Sequence, residues 1–361
     1  MIDMIMTRRL FIGTATAGLA GLSGLLPKPA IAAGKDLFAA AWIQNGGAGF
    51  SILDGDGNEL TSVSLPDRGH DVATDRAGRW AVAFARRPGT FAVAVDRQNG
   101  SEPIPFSTPE DRHFFGHGVF SPDGRVLYAT ENDYDNAAGM IGIYDVTAGF
   151  NRIGEFPSYG IDPHELILMP GGKTLCIANG GIETHPDFGR AKLNLASMEP
   201  SVVFVDIESG ELLEKHTPPA DLFRLSTRHM DIDAAGNVWV GCQYEGPETD
   251  EPPLLLRVTM GEGYKPIMLP DQARHGLANY VGSVAANRSE NRLVITSPHG
   301  NCALVLDTRS GNLVERIAEK NVCGAVAQGS GFLLSSAEGD FGEAKLGRSW
   351  DNHIARLFQE R

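Results

Sequence analysis

The 361-residue chain is short of basic residues, with 31 Lys and Arg against 45 Asp and Glu and a formal net charge of −14. Binding to phosphate backbones or anionic lipid needs clustered Lys and Arg, so neither nucleic acid nor a membrane surface is expected as the main partner. Cysteine is scarce, with four residues (Cys176, Cys242, Cys302 and Cys323), and no Cys-x-x-Cys or His-Glu-x-x-His metal motif occurs. A Gly-x-Ser-x-Gly nucleophile turn and a phosphate loop are missing as well. Beyond the N-terminus no apolar run reaches the ~18 residues that a membrane helix needs. What the chain does have is 42% hydrophobic residues, enough for a packed core, with 43 Gly and 21 Pro. That mixture points to many short strands joined by tight turns.

Residues 1–32 read as an export leader. Arg8 and Arg9 precede Phe11 and Ile12, a mild apolar run spans Ala15 to Leu26, and a small-residue site follows at Ala30-Ile31-Ala32. Adjacent arginines in this setting are the mark of the bacterial twin-arginine route, which predicts a periplasmic protein carried across already folded. The mature chain, 33–361, is expected to form a single domain.

That chain is a repeat. A strand ending in Asp, a turn with Gly and a further strand recur at Asp54 to Gly57, Asp96 to Gly100, Asp145 to Gly149, Asp206 to Gly210 and Asp307 to Gly311. A second turn alternates with the first, at Asp75 to Gly78, Ser121 to Gly124, Met169 to Gly172 and Asp233 to Gly236. Two hairpin signals in each period of about 47 residues mean four antiparallel strands per period, the unit of a β-propeller. The fold class is therefore all-β, with seven four-stranded blades, six as the alternative, closed by pairing the N- and C-terminal strands.

In a propeller the first strand of each blade lines the central channel. Four of these strand starts carry a histidine: His70, His117, His164 and His229. The first three lie 47 residues apart, and the insertion from Gly181 to Pro200 accounts for the longer last interval. Imidazole is the commonest ligand for Fe, Cu, Zn and Ni, and a ring of inner strands can aim several at one point. Loops between second and third strands open on the same rim and add Glu131, Asn132, Asp133, Glu183, His185, Glu245, His299 and Glu338. Arg68, Arg112, Arg228 and Arg274 stand just before inner strands. Such a rim suits a metal, a metal chelate or an anionic organic ligand.

A scaffold role competes with this. Gly69-His70 and Gly116-His117 resemble the structural Gly-His pair of WD-type propellers, where the His braces a Trp, but the third strands here carry Phe91, Ile141 and Val202 instead. Asp54, Asp56 and Asn58 imitate the start of a calcium loop, yet Leu65 occupies the position of its bidentate carboxylate, which leaves a hairpin turn. Cys302 and Cys323 would meet if their blades are adjacent, and Cys323 sits at an inner-strand start, where a soft-metal role is open.

Arg8-Arg9, the Gly-His and Pro-His-Glu blade starts, and Trp350-Asp351-Asn352-His353 together resemble a family of twin-arginine-exported propellers of unknown function, found beside imelysin-like proteins in iron-responsive gene clusters. The resemblance implies a periplasmic, seven-bladed protein related to quinoprotein, YVTN and lactonase propellers, and a link to iron acquisition through periplasmic iron-uptake partners. His353 joins the rim because it is expected to begin a third strand opening on that face. Three functions follow. The first is binding of a transition metal (Fe, Cu or Zn) or its chelate by His70, His117, His164 and His229, with Glu165 or Glu131 behind them. The second is a lactonase-like hydrolase acting on a small anionic ester held by Arg228, with a rim His or Glu as general base. The third is a non-catalytic docking platform for another protein.

Overall fold

Both recurring turns are closed by side-chain chemistry. In the first kind, the carboxylate of Asp96 accepts the backbone N–H of Gln98 and Asn99, that of Asp145 accepts Thr147 and Ala148, and that of Asp206 accepts Glu208 and Ser209. The chain then leaves through a left-handed residue such as Gly149, at φ 73°. This turn joins the third strand of a blade to its fourth. The second kind, as at Asp75 to Gly78, joins the first strand to the second.

The computed structural model describes residues 36–357. The export leader read at residues 1–32 lies outside them. The described strands form seven antiparallel sheets. Blades 1 to 6 begin with the inner strands Gly69–Thr74, Arg112–Phe120, Pro163–Leu168, Leu225–Ile232, Ser283–Asn287 and Val322–Gln328. The expected all-β propeller with seven blades is what the chain builds, with a five-residue α-helix, Asp271–His275, the single α-helix among the described residues. Within those residues no helix is long and apolar enough to cross a membrane.

Second strands are sandwiched between neighbouring blades and read as unbroken apolar runs. Trp80–Ala85 (WAVAFA) is buried at every position. Phe84 fills the seam between blades 1 and 2 and meets Phe114 edge-on, their ring centroids 5.4 Å apart. Burying such a ring contributes about 2–3 kcal/mol. Outer strands such as Asn151–Pro157 face solvent and alternate.

The ring closes, as expected, by pairing the N- and C-terminal strands. Blade 7 takes its inner strand from the C-terminus and the other three from the N-terminus. Ser349–Trp350 pairs with Trp42 and Ile43, and Ala355–Leu357 pairs with Leu37 to Ala39. His353, expected to begin a third strand, sits in the interruption between these two short inner segments. It is therefore a fifth inner-strand histidine. The last complete blade, blade 6, ends at Lys345.

Candidate metal centre

An irregularity that no pattern of residue types announces marks the blade 6 inner strand between Val322 and Ala325, around Cys323, and the four inner strands that carry a histidine. In those four, the ladders with the second strands slip between Gly69 and Val72, Phe114 and Gly118, Pro163 and Glu165, and Thr227 and His229. Each slip spans or adjoins its histidine. A β-bulge breaks the alternation of faces and re-aims the side chain, here toward the propeller axis. Gly116 shows what the packing demands. It sits at φ 109°, and a Cβ there would stand 2.6 Å from Cδ2 of His70.

The bulges bring His70, His117, His164, His229 and His353 into one buried cluster, each under 10% exposed. Ring centroids lie 4.9 Å apart for His70 and His117, 4.7 Å for His164 and His229, 4.6 Å for His117 and His353, and 4.7 Å for His229 and His353. Two overlapping triples, His70–His117–His164 and His117–His229–His353, each offer ligand atoms within 4.8 Å of one another. Opposite ligands on one ion stand about 4 Å apart, given metal–nitrogen distances near 2 Å.

A relay between blades orients these rings. The Nδ1–H of His70 donates to Asp351 at 2.8 Å, that of His117 to Asp71 at 3.2 Å, and that of His229 to Glu165 at 3.2 Å. Asp71 follows His70 and Glu165 follows His164, so the acid after one histidine receives the imidazole of the next blade. The relay skips His164 because Gly118 follows His117, and a Cβ at Gly118 would lie 2.4 Å from the Phe84 ring. His164 Nδ1 instead accepts from Arg228 Nη1 at 3.2 Å. Outer carboxylates of this kind set the tautomer so that Nε2 keeps its lone pair toward a metal. The Nε2 atoms of His117, His164, His229 and His353 are buried and have no hydrogen-bond partner among the described residues. On neutral His164, whose Nδ1 accepts from Arg228, Nε2 carries the proton and must give it up before it can ligate.

Electrostatics favour neutral rings. Burial drives His70 down to about 4 against the opposing pull of Asp351. Burial, followed by neighbouring cations and imidazoles, holds His164, His229 and His353 well below the ordinary value. Burial would raise Asp351, but His70, Arg86 and Arg68 outweigh it and keep the carboxylate ionised. Asp71 comes down to about 2, its hydrogen bond from His117 overcoming burial. Glu165 goes the other way, raised by burial and by Asp71 and Asp231.

Of the residues singled out in the sequence, Glu165 and Arg228 stand against the histidines, as described. Glu131 does not: its carboxylate accepts from the Tyr144 hydroxyl at 2.6 Å and from Arg152 at 2.8 Å, inside blade 2. Arg112 pairs with Asp133 and Glu155, and Arg274 with Glu251 and Asp271. His185 lies against Asp135 and Tyr134, and Glu338 accepts from Asn321. Asp54 caps its own hairpin, accepting from Asp56 and Asn58. All four cysteines are unpaired, so Cys302 and Cys323 form no disulfide. Cys323 sits at the inner-strand start, but its thiol donates to backbone carbonyls and burial pushes it up to about 12.

Sequence reasoning missed Asp71, Asp351, Arg86, Arg87, Arg190 and Lys192. Arg86 and Arg87 follow the second strand of blade 1, at the position whose counterparts in other blades were read as rim, so the rule that found Glu131 would have found them. Arg190 and Lys192 lie in the Gly181 to Pro200 insertion. A cavity of about 270 Å³ opens above the histidines, lined by Arg86, Arg87, Arg190, Lys192, Arg228 and Tyr280 among others. On the other side of the histidine layer lies a channel of about 580 Å³ bordered by Asp71, Glu165, Asp231 and His353.

Residues 63–357 match the family described as "Protein of unknown function (DUF1513)". The chain belongs to that family. No curated protein matches it. Among solved structures, Kuenenia stuttgartiensis hydrazine synthase is similar at 16% identity and TM-score 0.61, covering 86% of this chain and 89% of that one. A chain of a nidogen/laminin complex is similar at 10% identity and TM-score 0.54, covering 91% of this chain and 100% of that one. At such identities the likeness is one of fold alone.

Proposed function

We propose that this propeller binds a transition metal, as the ion or as a chelate, at the cluster of His70, His117, His164, His229 and His353. The observation that carries the reading is chemical. Four Nε2 atoms are buried side by side without a partner among the described residues, and those of His117 and His229, whose Nδ1–H is given to a carboxylate, keep a lone pair free for a metal. Three of the five rings have Nδ1 committed to a carboxylate, the arrangement that makes imidazole a better ligand. An all-imidazole set suits Fe, Cu or Zn in preference to Mg or Ca, which take oxygen. With the leader read in the sequence, the setting is the periplasm, and the role is iron acquisition or homeostasis together with periplasmic uptake proteins.

Elemental analysis of the mature protein, purified without chelator or affinity histidines, tests this. About one equivalent of Fe, Cu or Zn is expected, falling at least tenfold when His70, His117, His164 and His229 are all changed to Ala in a chain that still shows β circular dichroism. A parent protein that holds no metal and refuses added Fe, Cu and Zn overturns the reading.

One observation favours a second reading, hydrolysis of a small anionic ester. His70 lines the arginine-rich cavity with Asp351 behind it at 2.8 Å, a pair able to activate water beside Arg228. Turnover of an anionic lactone that survives chelation and disappears in His70→Ala would shift the assignment to this chemistry.

A further inference from the structure

The cavity above the histidines is cationic in a chain whose overall charge is −14. Arg86, Arg87, Arg190, Lys192 and Arg228 line it, and Arg68 stands beside it on Asp351. Against these six cations the structure sets three carboxylates. Asp351 serves Arg68 and Arg86, Asp162 lies 3.7 Å from both Arg87 and Arg228, and Glu245 pairs with Lys192. About three positive charges are left over. Among the described residues Arg190 has no carboxylate partner. Burial and the guanidiniums of Arg86, Arg68 and Arg228 lower its pKa, which marks the surplus as local. Arg87 Nη1 and Arg228 Nε are buried without a hydrogen-bond acceptor, and the Arg228 side chain is only 6% exposed. Buried guanidinium groups left short of acceptors are costly unless an anion completes them.

We infer that this cavity is the binding site of a small polycarboxylate anion carrying two or three carboxylates. Three features set the class. Guanidinium forks match carboxylates in a bidentate manner. The cations come from blade 1, the blade 3 insertion and blade 4, so they surround a guest with spread charges instead of converging on one compact oxyanion. The volume, about 270 Å³, lies at the small end of ligand sites. His70, His164 and His229 share this lining. The bound anion therefore sits against the imidazole layer, and where the proposed metal is present its free carboxylates complete the coordination. This last step rests on the metal reading; the anion site itself does not.

Calorimetric titration of citrate into the chelator-treated, metal-free protein separates the two. One equivalent is expected to bind, with affinity falling as salt rises. The double variant Arg190→Gln, Lys192→Gln alters two rim side chains outside the histidine cluster and is expected to bind about tenfold more weakly, with Arg190→Lys keeping most of the affinity. Inorganic phosphate is expected to bind at least tenfold more weakly than citrate. Absence of citrate binding at millimolar concentration, indifference to the double variant, or equal affinity for phosphate each overturns the inference. Elemental analysis of the same preparations, taken before chelator treatment and again after re-addition of Fe, Cu or Zn, tells the failures apart. Metal retained without citrate binding removes the anion site and leaves the metal centre, while citrate bound by a protein that takes up no metal does the reverse.

Discussion

Asp351 carries more of the site than any other side chain outside the histidine cluster. Its carboxylate accepts from His70 at 2.8 Å, Arg86 at 2.9 Å and Arg68 at 2.6 Å while only 1% exposed. Asp351→Asn keeps the shape but strands three donors that expect an anion. Breaking a buried pair in this way costs about 3–5 kcal/mol. Urea unfolding should show that loss, and metal retention should fall by about 10–100-fold. An unchanged metal content in the folded variant would mean that His70 is no ligand.

His113 offers a residue-scale test of pH dependence away from the cluster. It donates from Nδ1 to the Phe114 carbonyl and accepts at Nε2 from Asn132, and burial lowers its pKa to about 4. The unfolded chain takes up the proton below about 6.5, the folded one not until about 4, so folding is penalised as pH falls through that window. One proton's difference is worth about 1.4 kcal/mol per pH unit. Stability measured by urea from pH 7 to pH 5 should therefore decline less steeply, by about that slope, in His113→Gln than in the parent. Equal slopes would show that His113 titrates normally in the fold.

At the scale of the element, the inner strand does two jobs at once: it pairs with its blade and delivers a side chain to the axis. The bulge reconciles them, and Gly116 is where the reconciliation is tightest. Gly116→Ala places a methyl into the His70 ring at 2.6 Å and forces an L-residue to φ 109°. A destabilisation of about 1–3 kcal/mol from the backbone alone is expected, and more from displaced packing. Because His70 must move, metal content should drop in the fraction that remains folded. A variant with wild-type thermal midpoint and metal content would show that the bulge has room to spare. The four histidines, the first three of them 47 residues apart, were legible because the inner strand recurs with the blade. Their convergence was not, since a regular strand would have sent neighbouring positions to opposite faces.

For the whole molecule, the ring closes through chain ends far apart in sequence. Ser349–Trp350 and Ala355–Leu357 cover the Leu37–Gln44 strand. Ending the chain after Gly347 would remove Asp351 and His353 and leave Leu37–Gln44 as an open edge. An uncovered, apolar edge strand pairs with copies of itself. Size-exclusion chromatography should then show oligomers, and thermal unfolding should lose its single cooperative transition. A monomer that melts like the parent would show that closure contributes little to stability.

The alternation of Asp-Gly and Gly turns determined, from the sequence by itself, that the chain folds into four-stranded antiparallel units and which four histidines start inner strands, while the choice of seven blades over six was left to the structure. These are local matters: a carboxylate that accepts the N–H two or three residues on, and a glycine that takes a left-handed turn, act over a few residues wherever they occur. Tertiary structure decided the rest. His353 and Asp351 reach the axis only because the last strand crosses into the first N-terminal sheet. Arg86, Arg190 and Arg228 form one cationic wall only because blades 1, 3 and 4 meet around a common channel. Such neighbours are set by ring closure, a property of all the blades together, and no window of sequence contains it.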